Sequence, residues 1–310
     1  MRLIHLIPTG TTIRFLHFRK AALILSLITC IASVGLFAFK GLNFGIDFRG
    51  GILLEIRTPE PADMRTIRDR ISGLNLGHFE LQEFGQNTDI LIRIERQPGA
   101  APEQQKAVEA VKQALGSAVD YRRTEFVGPT VSGELIEAGI TAVLLALAAM
   151  LMYIWFRFEW QFGVGAVVAL THDVIMTIGV FALLGLEFNL STVAAILTIA
   201  GYSINDTVVV YDRVRENLRK YKVMKLEEVL NLSLNDTLSR TLLTSITTLI
   251  ALLILFFWGG EVIKGFSFAM IWGVLVGTYS SIFVAAPLLI HMNLRAEDVA
   301  LDKDDSAETV

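Results

Sequence analysis

The chain has 310 residues, 53% of them hydrophobic, and its 27 Lys and Arg against 31 Asp and Glu leave a formal net charge of −4. A mean hydropathy of +0.54 is too apolar for a soluble protein of this length, so the first question is where the chain crosses a membrane. The charge balance gives no reason to expect a nucleic-acid partner, and in a membrane protein the side on which each charge sits matters more than the sum.

Residues 1–20 read as a cytoplasmic N-terminal segment, followed by a first span at 21–39, AALILSLITCIASVGLFAF. That run is too long and uninterrupted for a secretory signal, and no small-residue cleavage site follows it before KGLNF, so it is expected to be retained. Cys30 lies inside it as the sole cysteine, which excludes a disulfide framework or a cysteine metal site. Residues 40–135 form an external insertion: GILLEIRT suggests a strand, 59–74 a helix, HFELQEFG and TDILIRIER a hairpin turning at QNTD, 102–115 a second helix, and VDYRRTEFVG a last strand. Val108, Val111 and Leu115 fall on one face of that second helix. The order β-α-β-β-α-β predicts a ferredoxin-like α+β domain, without a catalytic residue set. Two glycine-rich junctions flank it, FGIDFRGG with Gly45, Asp47, Gly50 and Gly51, and VGPTVSGEL with Gly128 and Pro129. They read as bracing or as a hinge, with Asp47 and Arg49 able to pair locally or cap the first strand.

Residues 136–291 carry five more spans, near 136–156, 163–185, 191–211, 241–258 and 266–290, the fourth of these short unless its ends extend. The fold class is therefore membrane α-helical, with six transmembrane helices and the external domain inserted after helix 1. Arg14, Arg19 and Lys20, and the basic run from Arg213 to Lys225, lie on one side, which places both termini in the cytoplasm. The same run is suited to anionic lipid headgroups. Asp212, Arg213, Arg215 and Glu216 read as a solvated helix end, and the acidic tail 292–310 as disordered.

Polar residues inside the apolar spans stand out because a charge at the bilayer centre costs at least about 2.5 kcal/mol on insertion scales. Asp206, with Asn205, interrupts the stretch GYSINDTVVVYDRVRENLRK, and Tyr202 lies one turn before it. Arg240 stands at the entry to the next span, with Thr244 and Thr247 above it, and His172 and Asp173 interrupt an earlier span. Arg keeps its proton while a carboxylate can titrate, so Asp206 and Arg240 are either a static interhelical pair or a proton switch. His172 and Asp173 read either as residues near enough to the cytoplasmic face to hydrate or snorkel or, with Tyr202, Asn205, Thr244 and Thr247, as a supporting polar network around Asp206 and Arg240.

FGIDFRGG after the first span, VGPTVSGEL before the second, GYSINDTVVVYDRVREN and NDTLSRTLLTSITTL closely resemble the SecD/SecF family of bacterial protein-export membrane proteins, on its SecF side, in the matching order along the chain. The resemblance places the chain in the resistance-nodulation-division group and in the bacterial inner membrane. It implies a non-enzymatic subunit that takes no cofactor beyond protons as the coupling ion. It further implies a separate SecD chain, the SecYEG translocon, YajC and preproteins as partners, and a role in late, proton-motive-force-driven export. The family's proton-relay aspartate falls on Asp206 and its functional arginine on Arg240. Rival expectations are a small-molecule or lipid proton antiporter of the same architecture, or a structural stabiliser of the translocon.

Overall fold

The computed structural model describes residues 11–84, 86–99, 101–292 and 294; the predicted disordered tail lies, from residue 295 on, outside the described residues. In chain order the elements are a 3-10 turn at Phe15–Phe18, α1 (Arg19–Lys40), β1 (Asn43–Phe44), α2 (Ile46–Arg49), β2 (Gly51–Arg57), α3 (Met64–Ser72), β3 (Phe79–Phe84), β4 (Gln86–Ile94), α4 (Ala101–Leu115), β5 (Asp120–Val127), α5 (Pro129–Arg157), α6 (Trp160–Leu184), β6 (Glu187–Phe188), α7 (Leu190–Lys220), α8 (Leu226–Trp258), α9 (Glu261–Ser280), a π-helical turn at Ser281–Ala285, and α10 (Ala286–His291). Six helical segments among the described residues are long and apolar enough to cross a membrane, the last of them α9 continued through the π turn into α10. The chain divides into two compact units, one of Phe44–Ala142 with Glu187–Leu190, the other of the remaining residues.

In the helical unit, α7 and α8 are the longest helices, with 31 and 33 residues. At 1.5 Å per residue they run about 46 and 50 Å, well beyond a hydrocarbon core of about 30 Å, so the span that looked short at 241–258 is the apolar part of a longer rod. Of the residues expected as the solvated end of α7, Glu216 is exposed and Asp212 and Arg213 are half-buried, but Arg215 is not solvated. Arg215 is buried, donating to Glu159 Oε1 at 2.9 Å and to the Arg157 carbonyl at 3.2 Å, and Asn217 is buried against Ser233 Oγ at 3.0 Å. Arg213 pairs with Asp236 and Glu216, and Arg157 with Asp212. Alternating charges on neighbouring helices thus brace one another where water and headgroups would otherwise compete. The segment ahead of α1 docks there too: Asn235 exchanges two hydrogen bonds with the Ile13 backbone at 2.9 Å each, and Asn231 accepts from Leu16 N.

In the other unit, β2, β3, β4 and β5 form one antiparallel sheet in the order β3-β4-β2-β5. Ile52, Leu54 and Ile56 of the central β2 join Ile90, Ile92 and Ile94 of β4 in a core completed by Ile67 and Ile71 of α3 and Ala107, Val108, Val111 and Leu115 of α4. This is the arrangement period-2 and period-3.6 patterning demands of a sheet covered by helices on one face. β4 begins at Gln86, so QNTD lies within a strand and not in a turn, with a register shift between Glu83 and Phe84 absorbing the mismatch. The first helix is shorter than its pattern because Asp63 stops it from the front: its Oδ1 accepts from Arg65 N at 3.0 Å and Thr66 N at 3.2 Å, and its Oδ2 from Thr66 Oγ1 at 2.6 Å.

The Thr66 hydroxyl and the helix amides hold the Asp63 carboxyl below the usual carboxylate range. A depressed folded-state pKa contributes stability above the unfolded value of about 3.9 and loses it as pH falls through the lower, folded value. Amide protection factors across α3, taken relative to the intrinsic exchange rate at each pH, should therefore stay high near neutral pH and fall as the pH drops below that range, whereas Asp63→Ala should show lower protection at neutral pH and little of this acid dependence.

Candidate functional site

The site begins with a close approach of helices. Gly273 and Gly277, one turn apart on α9, lie against Ile199 and Ser203 of α7; a Cβ on Gly277 would stand 3.2 Å from the Ser203 Cβ, and one on Gly273 would collide with the Ile199 side chain. Small residues four apart allow the backbones to close in where no hydrophobic effect drives helices together in lipid. That contact brings the end of α9, the run Thr278-Tyr279-Ser280-Ser281, opposite the polar residues of α6 and α7.

Two buried carboxylates meet it there. Asp206 of α7 accepts from Thr241 Oγ1 of α8 and from Ser281 Oγ, both at 2.7 Å, one on each oxygen. Asp173 of α6 is fully buried; its Oδ2 accepts from Ser203 Oγ at 2.5 Å and Ser280 Oγ at 2.8 Å, and its Oδ1 lies 2.9 Å from His172 Nδ1. His172 and Asp173 are thus core residues, contrary to the expectation that they hydrate or snorkel: α1, α7 and α9 close over this part of α6. A further hydroxyl chain links Tyr202 to Ser245 at 3.4 Å and Ser245 to Thr278 at 2.8 Å, tying α7, α8 and α9 together.

The remaining expected neighbours sit elsewhere. Thr244 and Thr247 donate to backbone carbonyls of their own helix, including Arg240 O and Leu243 O, and do not reach Asp206; the hydroxyl that does is Thr241, one turn lower. Asn205 is exposed on the outer face of α7. Arg240 is exposed as well and, among the described residues, forms no ion pair with Asp206 within 4 Å. The direct Asp–Arg contact is therefore open in this structure, with the adjacent Thr241 in its place. Sequence reading missed Thr241, Ser280 and Ser281 and the bond from Ser203 to Asp173, although the TYSS run inside an apolar span and the GVLVG spacing ahead of it were signals that could have found the two later serines.

Below the carboxylates, the fully buried Tyr211 packs on Phe162 at 4.9 Å and Phe158 at 6.1 Å and donates to the Ala285 carbonyl at 3.2 Å. A π turn leaves a backbone carbonyl out of the regular ladder, and this phenol satisfies one at its end.

The glycine-rich junctions belong to the other unit. Gly45 N donates to Phe188 O at 2.9 Å, and Asp47 Oδ2 accepts from Leu190 N at 2.9 Å, so Asp47 caps the first residue of α7 and not a strand. Gly50 and Gly51 have φ of +71° and +117°, and a Cβ on Gly51 would lie 2.6 Å from the Ile94 carbonyl. Only glycine fits there. Gly51 pairs with Val127, and Gly128 accepts from Ser132 N at 2.9 Å as α5 starts at Pro129, so the two junctions leave the sheet side by side.

A family model for the C-terminal region of the protein-export membrane proteins SecD/SecF matches residues 107–295, and one for the SecD/SecF GG motif matches residues 35–58. The chain belongs to the SecD/SecF family. It is 46% identical over 295 residues to the protein translocase subunit SecF of Rickettsia rickettsii, covering 92% of this chain and 94% of that one. To SecF of Rhodobacter capsulatus it is 45% identical over 315 residues, covering 97% and 95%. The crystal structure of SecDF, a translocon-associated membrane protein from Thermus thermophilus, superposes with a TM-score of 0.82 at 34% identity over 93% of this chain. SecDF in a super-membrane-facing form gives a TM-score of 0.62 at 32% identity. The chain spans 40% of the length of each of those SecDF chains. As a SecD/SecF-family protein closely related to SecF, it is a multi-pass protein of the bacterial inner membrane and a transport subunit, not an enzyme, with a role in Sec-dependent protein export.

Removing the phenol that satisfies the π turn should loosen the floor of this site. Tyr211→Phe is expected to cost about 0.6 to 2 kcal/mol in reversible unfolding of the protein in detergent or bicelles, as lost buried hydrogen bonds in membrane helices do.

Proposed function

We propose that this chain is the SecF half of a SecD–SecF pair that uses the proton-motive force to promote late stages of preprotein export. Asp206 is the group that takes up and releases the proton, and Arg240 its fixed counter-charge. One observation carries the reading: the Asp206 carboxylate is buried among apolar helices and held by two neutral hydroxyls, with Arg240 one residue from the Thr241 that donates to it. Such a carboxylate is balanced between its two protonation states by small movements of its neighbours, whereas a carboxylate locked to a guanidinium is not. When Arg240 swings in, the ionised form gains a partner; when it swings away, the neutral form is favoured.

Each proton crossing a potential of about 100 mV delivers roughly 2.3 kcal/mol, enough to shift a two-state helix arrangement about fifty-fold. Asp47 at Leu190, the first residue of the helix that carries Asp206, together with Gly45, Gly50, Gly51, Gly128 and Pro129, makes the junctions suited to pass such a shift to the external domain. That domain, within residues 40–135, reads as ferredoxin-like, and what supports this is the strand order β3-β4-β2-β5 with α3 and α4 packed into one core with the sheet. Both termini, residues 1–20 and 292–310, lie on the cytoplasmic side, and 136–291 is the bundle. SecYEG, YajC and preproteins are the partners this role requires, with anionic lipids at the basic end of α7.

In cells depending on this chain, Asp206→Asn should leave SecD co-purifying with the tagged protein while processing of exported preproteins slows to the rate seen without the chain. Unchanged processing in Asp206→Asn would remove the relay role.

A further inference from the structure

His172 and Asp173 are buried titratable groups of the bundle that the proposed relay leaves unused. Asp173 is fully buried and His172 nearly so. Three hydrogen-bonding partners converge on the carboxylate: His172 from α6 itself, Ser203 from α7 and Ser280 from α9. The other groups facing the pair are few. From α1, the Cys30 thiol lies within electrostatic reach of Asp173. From α9, the Tyr279 ring lies 6.1 Å from the imidazole, its hydroxyl held by Ser26 Oγ and Ala22 O at 3.0 Å. From α7 come Ser203 and, one turn on, Asp206. Among the described residues no Lys or Arg pairs with Asp173. A mainly apolar pocket of about 210 Å³, lined by Leu25, Met176, Leu275 and Val276 together with Ser26, Thr29 and Tyr279, borders the imidazole. With Nδ1 engaged by Asp173, Nε2 is the nitrogen left to exchange a proton.

Successive residues on a helix point about 100° apart, so neighbouring serines can serve two different helices. Ser280 reaches Asp173 on α6, and Ser281 reaches Asp206 on α7, at the point where α9 gives way to the π turn. Each serine also lies within hydrogen-bond distance of a carbonyl of its own helix, Ser280 of Gly277 O at 3.1 Å and Ser281 of Thr278 O at 3.0 Å. A hydroxyl has one proton to donate. Facing an ionised carboxylate it donates outward. Facing a neutral carboxyl it can accept that group's proton and donate back to the carbonyl. Protonation of either aspartate therefore reverses a hydrogen bond on the same turn of helix.

We propose that His172 and Asp173 form a second proton-binding site, coupled to Asp206 through the paired hydroxyls of Ser280 and Ser281 at the π turn. This rests on Asp206 being protonatable, and it places two carboxylate sites of one chain on a single switchable turn. The proton arriving at Asp173 comes by way of His172, and its effect at Asp206 passes through the backbone of residues 280 and 281, with no covalent step.

Infrared titration of carboxyl C=O stretches, on the SecD-bound chain in liposomes, tests it. Two buried carboxyl bands are expected; Asp206→Asn deletes one and Asp173→Asn the other. Asp173→Asn and Ser280→Ala should each move the midpoint of the Asp206 band by about one pH unit or more, the strength at which two sites titrate as a pair. His172→Gln should keep both bands and move the midpoint of the Asp173 band. Absence of a titrating band lost in Asp173→Asn overturns the second site. An Asp206 midpoint unmoved in Ser280→Ala, which keeps both carboxyls even if Asp173→Asn fails to fold, overturns the coupling, and an unmoved Asp173 midpoint in His172→Gln removes the histidine from it. Two coupled bands in a protein whose export survives Asp206→Asn would reject the relay and keep this inference; loss of export with uncoupled bands would do the reverse.

Discussion

A carboxylate buried between membrane helices has to be met by donors, and the arrangement of the whole bundle follows from meeting two of them. Asp206 and Asp173 lie on different helices, and among the described residues neither has a Lys or Arg in contact with it, Asp173 having the His172 imidazole beside it. Hydroxyls from α7, α8 and α9 do the work instead, at 2.5 to 2.8 Å. Neutral donors satisfy a carboxylate without fixing its charge, because a hydroxyl can turn from donor to acceptor when the proton arrives. A buried ion pair would have held one state and resisted the other.

The rest of the helical unit makes that geometry possible. Glycines 273 and 277 allow α9 to approach α7 closely enough for serine-length side chains to span the gap. The π turn places consecutive serines toward separate neighbours, and Tyr211 satisfies the carbonyl of Ala285 at its end. Toward the basic end, Arg213 with Asp236 ties α7 to α8, and Arg215 with Glu159 and Arg157 with Asp212 tie α7 to the connection between α5 and α6. Rigidity there and adjustable hydrogen bonds above are the pairing expected of a bundle that moves as bodies around a protonatable centre.

Much of this was legible in the amino-acid sequence. Six apolar runs, the position of the external insertion, and the alternation that makes Ile52, Leu54 and Ile56 one face of a strand all follow from period and length, which backbone geometry imposes directly. Asp206 announced itself as a charge in an apolar run. What stayed hidden depends on rotation and crossing of helices, which no single helix encodes: that Thr241 and not Thr244 faces Asp206, that Asp173 is enclosed and not hydrated, and that Arg215 turns inward to Glu159. Asp47 was read as a local brace because its true partner, the amide of Leu190, lies far along the chain. The QNTD turn failed for a local reason, since β4 takes those residues as strand while residue 85 lies outside the described set.

The central claim is that the buried carboxylate on α7 changes its protonation during turnover. Proton entry into liposomes containing the SecD-bound chain, followed with an internal pH dye under an imposed membrane potential, measures this most directly. The account predicts a flux that falls to the level of empty liposomes in Asp206→Asn and survives in Asp206→Glu. Undiminished flux in Asp206→Asn would contradict it.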